Sequence, residues 1–183
     1  KIALIIALLS ISHAEETVKC LDEIKPIKWI AKTNGYKIEE HRVLTEDNYW
    51  LTIHRVYSPS FKDVRRPVVF LQHGIIDSSD TWMMNDVDKS PAFILADEGY
   101  DVWMGNTRGN KYSRDHLSLD PDEPSDEDQF WDISFEEMGY YDYPAMINYV
   151  LTLTNQKTLV FIAHSQGTSA MFYSLTTDRL KFL

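Results

Sequence analysis

Cysteine and positive charge are both scarce in this chain of 183 residues. A single cysteine, Cys20, excludes an internal disulfide framework, so this residue is either free or paired with a cysteine outside the sequence. The 18 lysines and arginines are outnumbered by 28 acidic residues and form no basic patch that could follow a phosphate backbone. We therefore expect no nucleic-acid partner.

Long apolar runs are also rare, and the one at the start of the chain is too short for a transmembrane helix, which needs about 20 apolar residues. The segment "KIALIIALLSISHAEE" begins with a lysine, continues through an apolar stretch and reaches small residues at Ser12 and Ala14. This pattern is typical of a secretory signal peptide. We predict that residues 1–14 are removed and that the mature chain enters the secretory pathway, with an extracellular or lysosomal destination.

The remaining chain, residues 15–183, has the apolar content of one globular domain with a sizeable core, at 44% hydrophobic residues overall. Its order of predicted elements is a hairpin, a strand, a helix, a strand, a helix, a strand and a helix. The strand segments are "RRPVVFLQHG", "YDVWMGN" and "KTLVFIAHS", each an apolar run expected of a buried strand. Such alternation predicts an α/β fold with a mainly parallel sheet and flanking helices.

Turn and cap residues predict where several of these strands and helices begin or end. Glu46, Asp47 and Asn48 suit the hairpin turn, and Ser90 and Pro91 suit the start of a helix that Gly99 ends. Ser134 and Glu137 form a possible capping box ahead of the next helix, which we place from about Asp142 onward. The acidic stretch from Asp115 to Asp132 is interpreted as a solvated loop, and we expect no metal and no cofactor.

The segment "FIAHSQGTSA" places Ser165 between the end of an apolar strand and the start of a helix. This is the arrangement of the nucleophile elbow in α/β-hydrolases, a strained turn that holds a serine hydroxyl over the end of the sheet. Small residues are needed two positions before and after the serine, and Ala163 and Gly167 occupy these positions. The alternative interpretation is an ordinary serine N-cap on the following helix.

The segment "FLQHGI" at the end of an earlier strand favours the nucleophile. Acyl transfer needs two backbone N–H groups to stabilise the oxyanion, one after the nucleophile and one in the loop after the third strand. These positions correspond to Gln166 and Ile75, and Gly74 allows the loop to turn tightly. We interpret His73 as a hydrogen-bonding residue of this loop rather than as the catalytic base.

Several segments together resemble the acid lipase family of gastric lipase and lysosomal acid lipase, which includes many secreted insect relatives. They are "GYKIEEHRVLTEDNYWLTIHRV", "VVFLQHG", "PAFILADEGYDVWMGNTRGN", "SFEEMGYYDYPAMINYV" and "HSQGT". The resemblance covers about Ile30 to Phe172. It implies an α/β-hydrolase that cleaves fatty-acyl esters of neutral lipids such as triacylglycerols or cholesteryl esters, with Ser165 as nucleophile and Gln166 and Ile75 as oxyanion donors. Ala163 replaces the family's usual glycine, and Ile75 its usual leucine.

A serine nucleophile needs a histidine and a carboxylate, which follow it along the chain in this fold. The six histidines are at positions 13, 41, 54, 73, 116 and 164, and none follows Ser165. We therefore expect the triad Asp and His, the cap and the later strands to lie outside this chain, which would be truncated after the elbow.

Two classes of function follow from these features. The first is a secreted serine lipase that forms an acyl-enzyme and works at a lipid–water interface. The alternative is a non-catalytic lipid-binding or storage protein on a lipase scaffold, or an inactive truncated fragment. Three residues after the oxyanion loop, Trp82, Met83 and Met84, are candidates for an acyl-binding groove. Three polar residues after the second strand, Asn106, Arg108 and Asn110, are expected to make structural hydrogen bonds, with Arg108 also a candidate to brace the site rim.

Overall fold

The computed structural model describes residues 26–61 and 65–180, so the predicted signal peptide and Cys20 lie outside the described residues. The strands are β1 (Lys37–Leu44), β2 (Tyr49–Tyr57), β3 (Val68–Gln72), β4 (Asp101–Gly105), β5 (Asp115–His116) and β6 (Val160–Ala163). The α-helices are α1 (Ile27–Thr33), α2 (Pro91–Asp97), α3 (Glu127–Phe130), α4 (Phe135–Glu137), α5 (Tyr143–Thr154) and α6 (Gln166–Thr176). A π-helix spans Met138–Asp142, and 3₁₀ turns span Pro59–Phe61, Ser79–Trp82 and Asp178–Leu180. Within the described ranges, no helix combines the length and the apolarity that a bilayer crossing requires.

The strands form one sheet in the order β1-β2-β4-β3-β6, with β5 paired to β2. β3 runs parallel to β4 and to β6, whereas the pairs β1–β2, β2–β4 and β2–β5 are antiparallel. The predicted α/β fold with flanking helices is confirmed, but the sheet is mixed rather than mainly parallel over these residues. The reason is that the predicted hairpin joins the sheet through β2 along the edge of β4, while the helical crossovers return β4 and β6 parallel to β3.

Both faces of the sheet are covered, because residues of β3 alternate between two hydrophobic cores. Val68 and Phe70 belong to a core shared with α5 and α6, whereas Val69 and Leu71 belong to a core shared with α1 and α2. All five residues of β3 and all five of β4 are buried. The two central strands are therefore rigid supports for the loops at their carboxyl ends.

Most of the predicted boundaries agree with the structure. Asn48 has a φ of 74° in the hairpin turn, and Gly99 has a φ of 85° just after α2. The capping box of Ser134 and Glu137 is present. Ser90 precedes α2 as predicted, but its hydroxyl donates to the carbonyl of Asn85 at 2.8 Å and makes no capping bond.

Two predictions about exposure need correction. The segment that forms β6 was predicted to be buried, yet Val160 is 54% and Ile162 39% exposed. Among the described residues β6 pairs with β3 alone, so it forms an edge of the sheet. The acidic stretch predicted as a loop contains β5 and α3, because Phe130 anchors α3 in the core with no exposed surface. Its acidic residues form no group that could hold a metal ion within the described part of the chain.

A buried ion pair ties the loop after β4 to the π-helix. Arg108 donates from Nε to Asp142 Oδ1 at 2.9 Å and from Nη2 at 2.7 Å, and its backbone N–H reaches Asp142 Oδ2 at 3.0 Å. Asp142 is fully buried, and Arg108 is 2% exposed. A second carboxylate, Asp47 of the hairpin turn, accepts from Arg108 Nη2 at 2.9 Å. Three separate segments are thus joined through one guanidinium.

Replacing this guanidinium should be costly. We expect Arg108→Leu to lower the free energy of unfolding of the full-length protein by about 3–5 kcal/mol, because it leaves the buried Asp142 carboxylate without a cation. Urea denaturation measures this loss. As a matched control, Arg114→Leu removes an exposed ion pair with Asp122 and should cost less than about 1 kcal/mol. Equal losses of unfolding free energy in the two variants would contradict a stabilising role of the buried Arg108–Asp142 pair.

Candidate active site

Ser165 occupies a strained turn between β6 and α6. Its φ is 51° and its ψ is −122°, a left-handed backbone conformation that L-residues other than glycine rarely adopt. Such a conformation costs about 1–3 kcal/mol and persists only where the surrounding structure imposes it. The side chain is exposed. The turn therefore has the backbone geometry predicted for a nucleophile elbow.

The hydroxyl of Ser165 does not cap the following helix. No side-chain capping bond is present, and the N–H groups of Thr168 and Ser169 donate instead to the carbonyl oxygen of Ser165, at 2.9 and 3.3 Å. The alternative interpretation of an ordinary serine N-cap is therefore wrong. The hydroxyl therefore makes no hydrogen bond that stabilises the start of α6.

Close packing against β3 explains the small residues around Ser165. A Cβ added at Gly167 would lie 2.5 Å from the carbonyl oxygen of His73 and 3.1 Å from Cγ of Gln72. Ala163 pairs with Gln72 in the parallel β3–β6 ladder, and its carbonyl accepts a bond from Thr168 Oγ1 at 3.2 Å. The methyl group of Ala163 is therefore compatible with the elbow, whereas a methyl group at position 167 is not.

The loop after β3 closely approaches the elbow. A Cβ added at Gly74 would lie 3.1 Å from Cβ of Ser165 and 3.1 Å from Nδ1 of His164. Only glycine allows this approach without displacing a neighbour. Within the described chain, the backbone N–H groups of Gln166 and Ile75 donate no hydrogen bond. Both residues line the same cleft, and Gln166 directly follows Ser165 along the chain.

His73 fixes the start of this loop. Its Nδ1 lies 2.6 Å from the carbonyl oxygen of Gly74, and its Nε2 accepts from the Thr107 N–H at 3.3 Å and from Asn110 Nδ2 at 3.1 Å. Burial lowers the pKa of His73, which favours the neutral ring with its proton on Nδ1. Since both ring nitrogens are engaged, the structure supports the predicted hydrogen-bonding role of His73.

A second cluster fixes the far end of the loop. The Ser79 N–H donates to Asn106 Oδ1 at 2.9 Å, and Ser79 Oγ lies 2.9 Å from Nδ1 of His54. Asn106 Nδ2 donates to the carbonyl of Thr52 at 2.9 Å, which attaches the cluster to β2. The predicted structural role of Asn106 is thus confirmed. No sequence pattern indicated the pair of His54 and Ser79, which are 25 residues apart.

The cleft beside the elbow has a volume of about 680 Å³. Of the three candidates for an acyl-binding groove, Met84 lines this cleft, whereas Met83 is buried in the core of α1 and α2. Trp82 packs against the same core and does not line the cleft. Arg108 does line it, so its predicted place at the rim is supported.

No described histidine hydrogen-bonds to Ser165. His41 contacts Tyr149, His54 contacts Ser79, His73 contacts Gly74, and His116 contacts the carbonyl of Asp47. The neighbouring His164 is exposed. Residues 26–61 and 65–180 therefore supply the serine and the candidate oxyanion donors but no base in contact with the serine.

Two family models match this chain. Residues 27–86 match a model described as the partial alpha/beta-hydrolase lipase region, and residues 67–179 match the alpha/beta hydrolase fold. Among solved structures, an esterase of Pyrococcus furiosus superimposes with a TM-score of 0.58 at 17% identity, over 85% of this chain and 51% of the esterase. A putative lipase of Sulfolobus solfataricus superimposes with a TM-score of 0.56 at 15% identity, over 76% of this chain and 41% of that protein. These likenesses support the fold.

Curated relatives are much more similar in sequence. Gastric triacylglycerol lipase of Bos taurus is 45% identical over 149 residues, which cover 79% of this chain and 36% of the relative. Lipase member K of Mus musculus is 46% identical, with the same two coverages. Lipase 1 of Drosophila melanogaster is 48% identical over 79% of this chain and 31% of its own length. The chain thus spans about a third of the length of these relatives.

We expect Gly167→Ala to disrupt the elbow, because the new methyl group would meet backbone of the loop after β3. Overpacking should cost about 1–3 kcal/mol and should reduce labelling of Ser165 by a fluorophosphonate probe in the full-length protein. Gly35→Ala is the matched control, since Gly35 has a φ of 84° but no atom near the added Cβ. That control should lose stability without losing labelling. Equal labelling of the two variants would argue against a steric requirement at position 167.

The neutral state of His73 predicts a pH dependence of stability. Because its pKa is lowered in the folded state, the unfolded chain binds more protons below about pH 6.5. The free energy of unfolding should therefore fall as the pH drops below that value, by at most about 1.4 kcal/mol per pH unit for one group. His73→Asn should show a shallower slope in urea denaturation between pH 4.5 and 7. An unchanged slope would show that His73 does not titrate as proposed.

Proposed function

Because the chain belongs to the α/β-hydrolase fold family, and within it to the lipases related to gastric lipase, we propose that its protein is a serine lipase. Its substrates are fatty-acyl esters of neutral lipids, such as triacylglycerols or cholesteryl esters. The observation that carries this proposal is the contact between the strained Ser165 turn and Gly74, which brings a serine and a tight glycine loop together.

The proposed reaction proceeds through an acyl-enzyme. Ser165 Oγ attacks the ester carbonyl as a base removes its proton, and the backbone N–H groups of Gln166 and Ile75 stabilise the resulting oxyanion. The alcohol leaves with the proton, and water then releases the fatty acid. We propose that the base and its carboxylate partner lie outside this sequence.

A non-catalytic lipid-binding protein is the alternative, and the backbone at Ser165 favours the enzyme over it. Lipid binding alone needs an apolar surface, but it does not need a serine held at positive φ or two unused N–H donors beside it. A catalytic role of this turn accounts for the backbone strain at Ser165.

The setting of the enzyme is part of the same proposal. The start of the sequence supports a signal peptide over residues 1–14 and hence the secretory pathway, with an extracellular or lysosomal destination. Ile75, Ile76 and Met84 are exposed and line the cleft, which supports work at a lipid–water interface.

The direct test is covalent labelling of Ser165 in the full-length protein. We expect a fluorophosphonate probe to form an adduct at Ser165, located by peptide mass spectrometry, because the oxyanion donors stabilise the phosphonyl adduct as they would the tetrahedral intermediate. Ser165→Ala should abolish the adduct and esterase activity. Ser169→Ala, an exposed serine one turn along α6, is the matched control and should react normally. Full labelling of Ser165→Ala would refute the assignment.

A further inference from the structure

We propose that the acyl chain of the substrate lies against an apolar surface formed by Trp131, Ile133 and Met138, here named the acyl wall. This inference rests on the proposed function, because the chain is taken to extend from a carbonyl bound between Gln166 and Ile75. The acyl wall comes from the segment that runs from the end of α3 to the first residue of the π-helix. Of its three residues, only Trp131 lies in the stretch that the sequence analysis interpreted as a solvated acidic loop.

The acyl wall shares one cleft with the candidate oxyanion donors. Trp131, Ile133 and Met138 line the same cavity of about 680 Å³ as Gln166 and Ile75. This volume is within the range of about 300–1,000 Å³ that is usual for small-molecule sites. An acyl chain that leaves the carbonyl therefore has an apolar surface within the same cavity.

Contacts below the acyl wall hold it in place. Gly109 has a φ of 79°, and a Cβ there would lie 2.9 Å from both Cδ1 of Ile133 and Cζ3 of Trp131. The missing side chain lets both residues pack directly onto the loop after β4. Ile133 and Met138 also pack against the core of α5 and α6 while remaining partly exposed. The surface is therefore pre-formed rather than a flexible loop.

The acyl wall is also fixed relative to the nucleophile. Gly139, directly after Met138, packs so closely on α6 that a Cβ would lie 2.4 Å from the carbonyl oxygen of Ala170. The rings of Phe135 and Tyr173 meet edge to face, with centroids 6.0 Å apart. Since α6 begins at Gln166, the same helix positions the elbow and supports the acyl wall.

Charged residues elsewhere in the cleft indicate the direction in which the acyl chain of the substrate runs. Asp77, Asp80 and Lys111 line the cavity, and Lys111 is paired with Asp80. Ile76 and Met84 also line the cleft near these charged groups, but an alkyl chain there lies against hydrated side chains as well. Each methylene buried on the acyl wall favours binding about fourfold. We therefore assign the acyl chain to the acyl wall and the alcohol portion to the charged side.

The test compares acyl chain lengths in the full-length protein. We expect Ile133→Thr to lower kcat/KM for p-nitrophenyl laurate about tenfold and to leave p-nitrophenyl acetate within about twofold, because only the long chain reaches the acyl wall. Ile133→Leu should restore laurate hydrolysis. Leu117→Thr replaces an exposed leucine outside this cleft and should change neither rate. Equal loss for both esters, or no loss for laurate, would overturn the inference.

Two further measurements separate the possible failures. With dodecyl acetate, Ile133→Thr should hydrolyse as the wild type does, and a selective loss there would place the alcohol chain on the acyl wall and overturn the assignment. If Ser165 is not labelled and acetate is not hydrolysed, the proposed function fails. In that case, photocrosslinking of a diazirine-bearing laurate still tests whether an acyl chain binds at the acyl wall. Adducts within residues 131–138 support the acyl wall, and adducts confined to other peptides reject it.

Discussion

The candidate site depends on the close approach of two backbone segments at the carboxyl ends of β3 and β6. Gly167 leaves no room for a side chain, because an added Cβ would lie 2.5 Å from the carbonyl oxygen of His73. Gly74 leaves little room, because an added Cβ would lie 3.1 Å from Cβ of Ser165. At this contact Ser165 has a positive φ, and the loop that contains Gly74 and Ile75 lies beside it. Parallel pairing of β3 with β6 makes this possible, because it brings both carboxyl ends to the same edge of the sheet.

Rigidity around this contact comes from hydrogen bonds among buried polar side chains. His73 and Asn110 hold the start of the loop after β3, and Ser79, His54 and Asn106 hold its end. Asn110 Nδ2 also donates to Asn106 Oδ1 at 2.8 Å, so the two clusters are joined. A loop held at both ends can keep an N–H group aimed at one point, which is what oxyanion stabilisation requires.

The two sides of the site are held by different interactions. The oxyanion loop is fixed by hydrogen bonds, whereas the acyl wall is fixed by packing onto Gly109 and α6. The Arg108–Asp142 pair connects these regions, since it ties the loop after β4 to the π-helix that begins at Met138. An ester placed in this cleft would therefore meet a polar surface that is hydrogen-bonded in place and an apolar surface that is packed in place.

Local features were predictable from the sequence: the hairpin turn at Asn48, the capping box of Ser134, the two central strands and the serine between a strand and a helix. Each depends on residues close together in the chain, so spacing and residue type were sufficient to predict them. Contacts between distant segments, seen only in the folded structure, bring His54 to Ser79 and place Trp131 and Ile133 on the cleft beside the elbow. These features depend on contacts between distant segments, and no local pattern specifies which strand will be a neighbour or which glycine will leave room for a distant side chain.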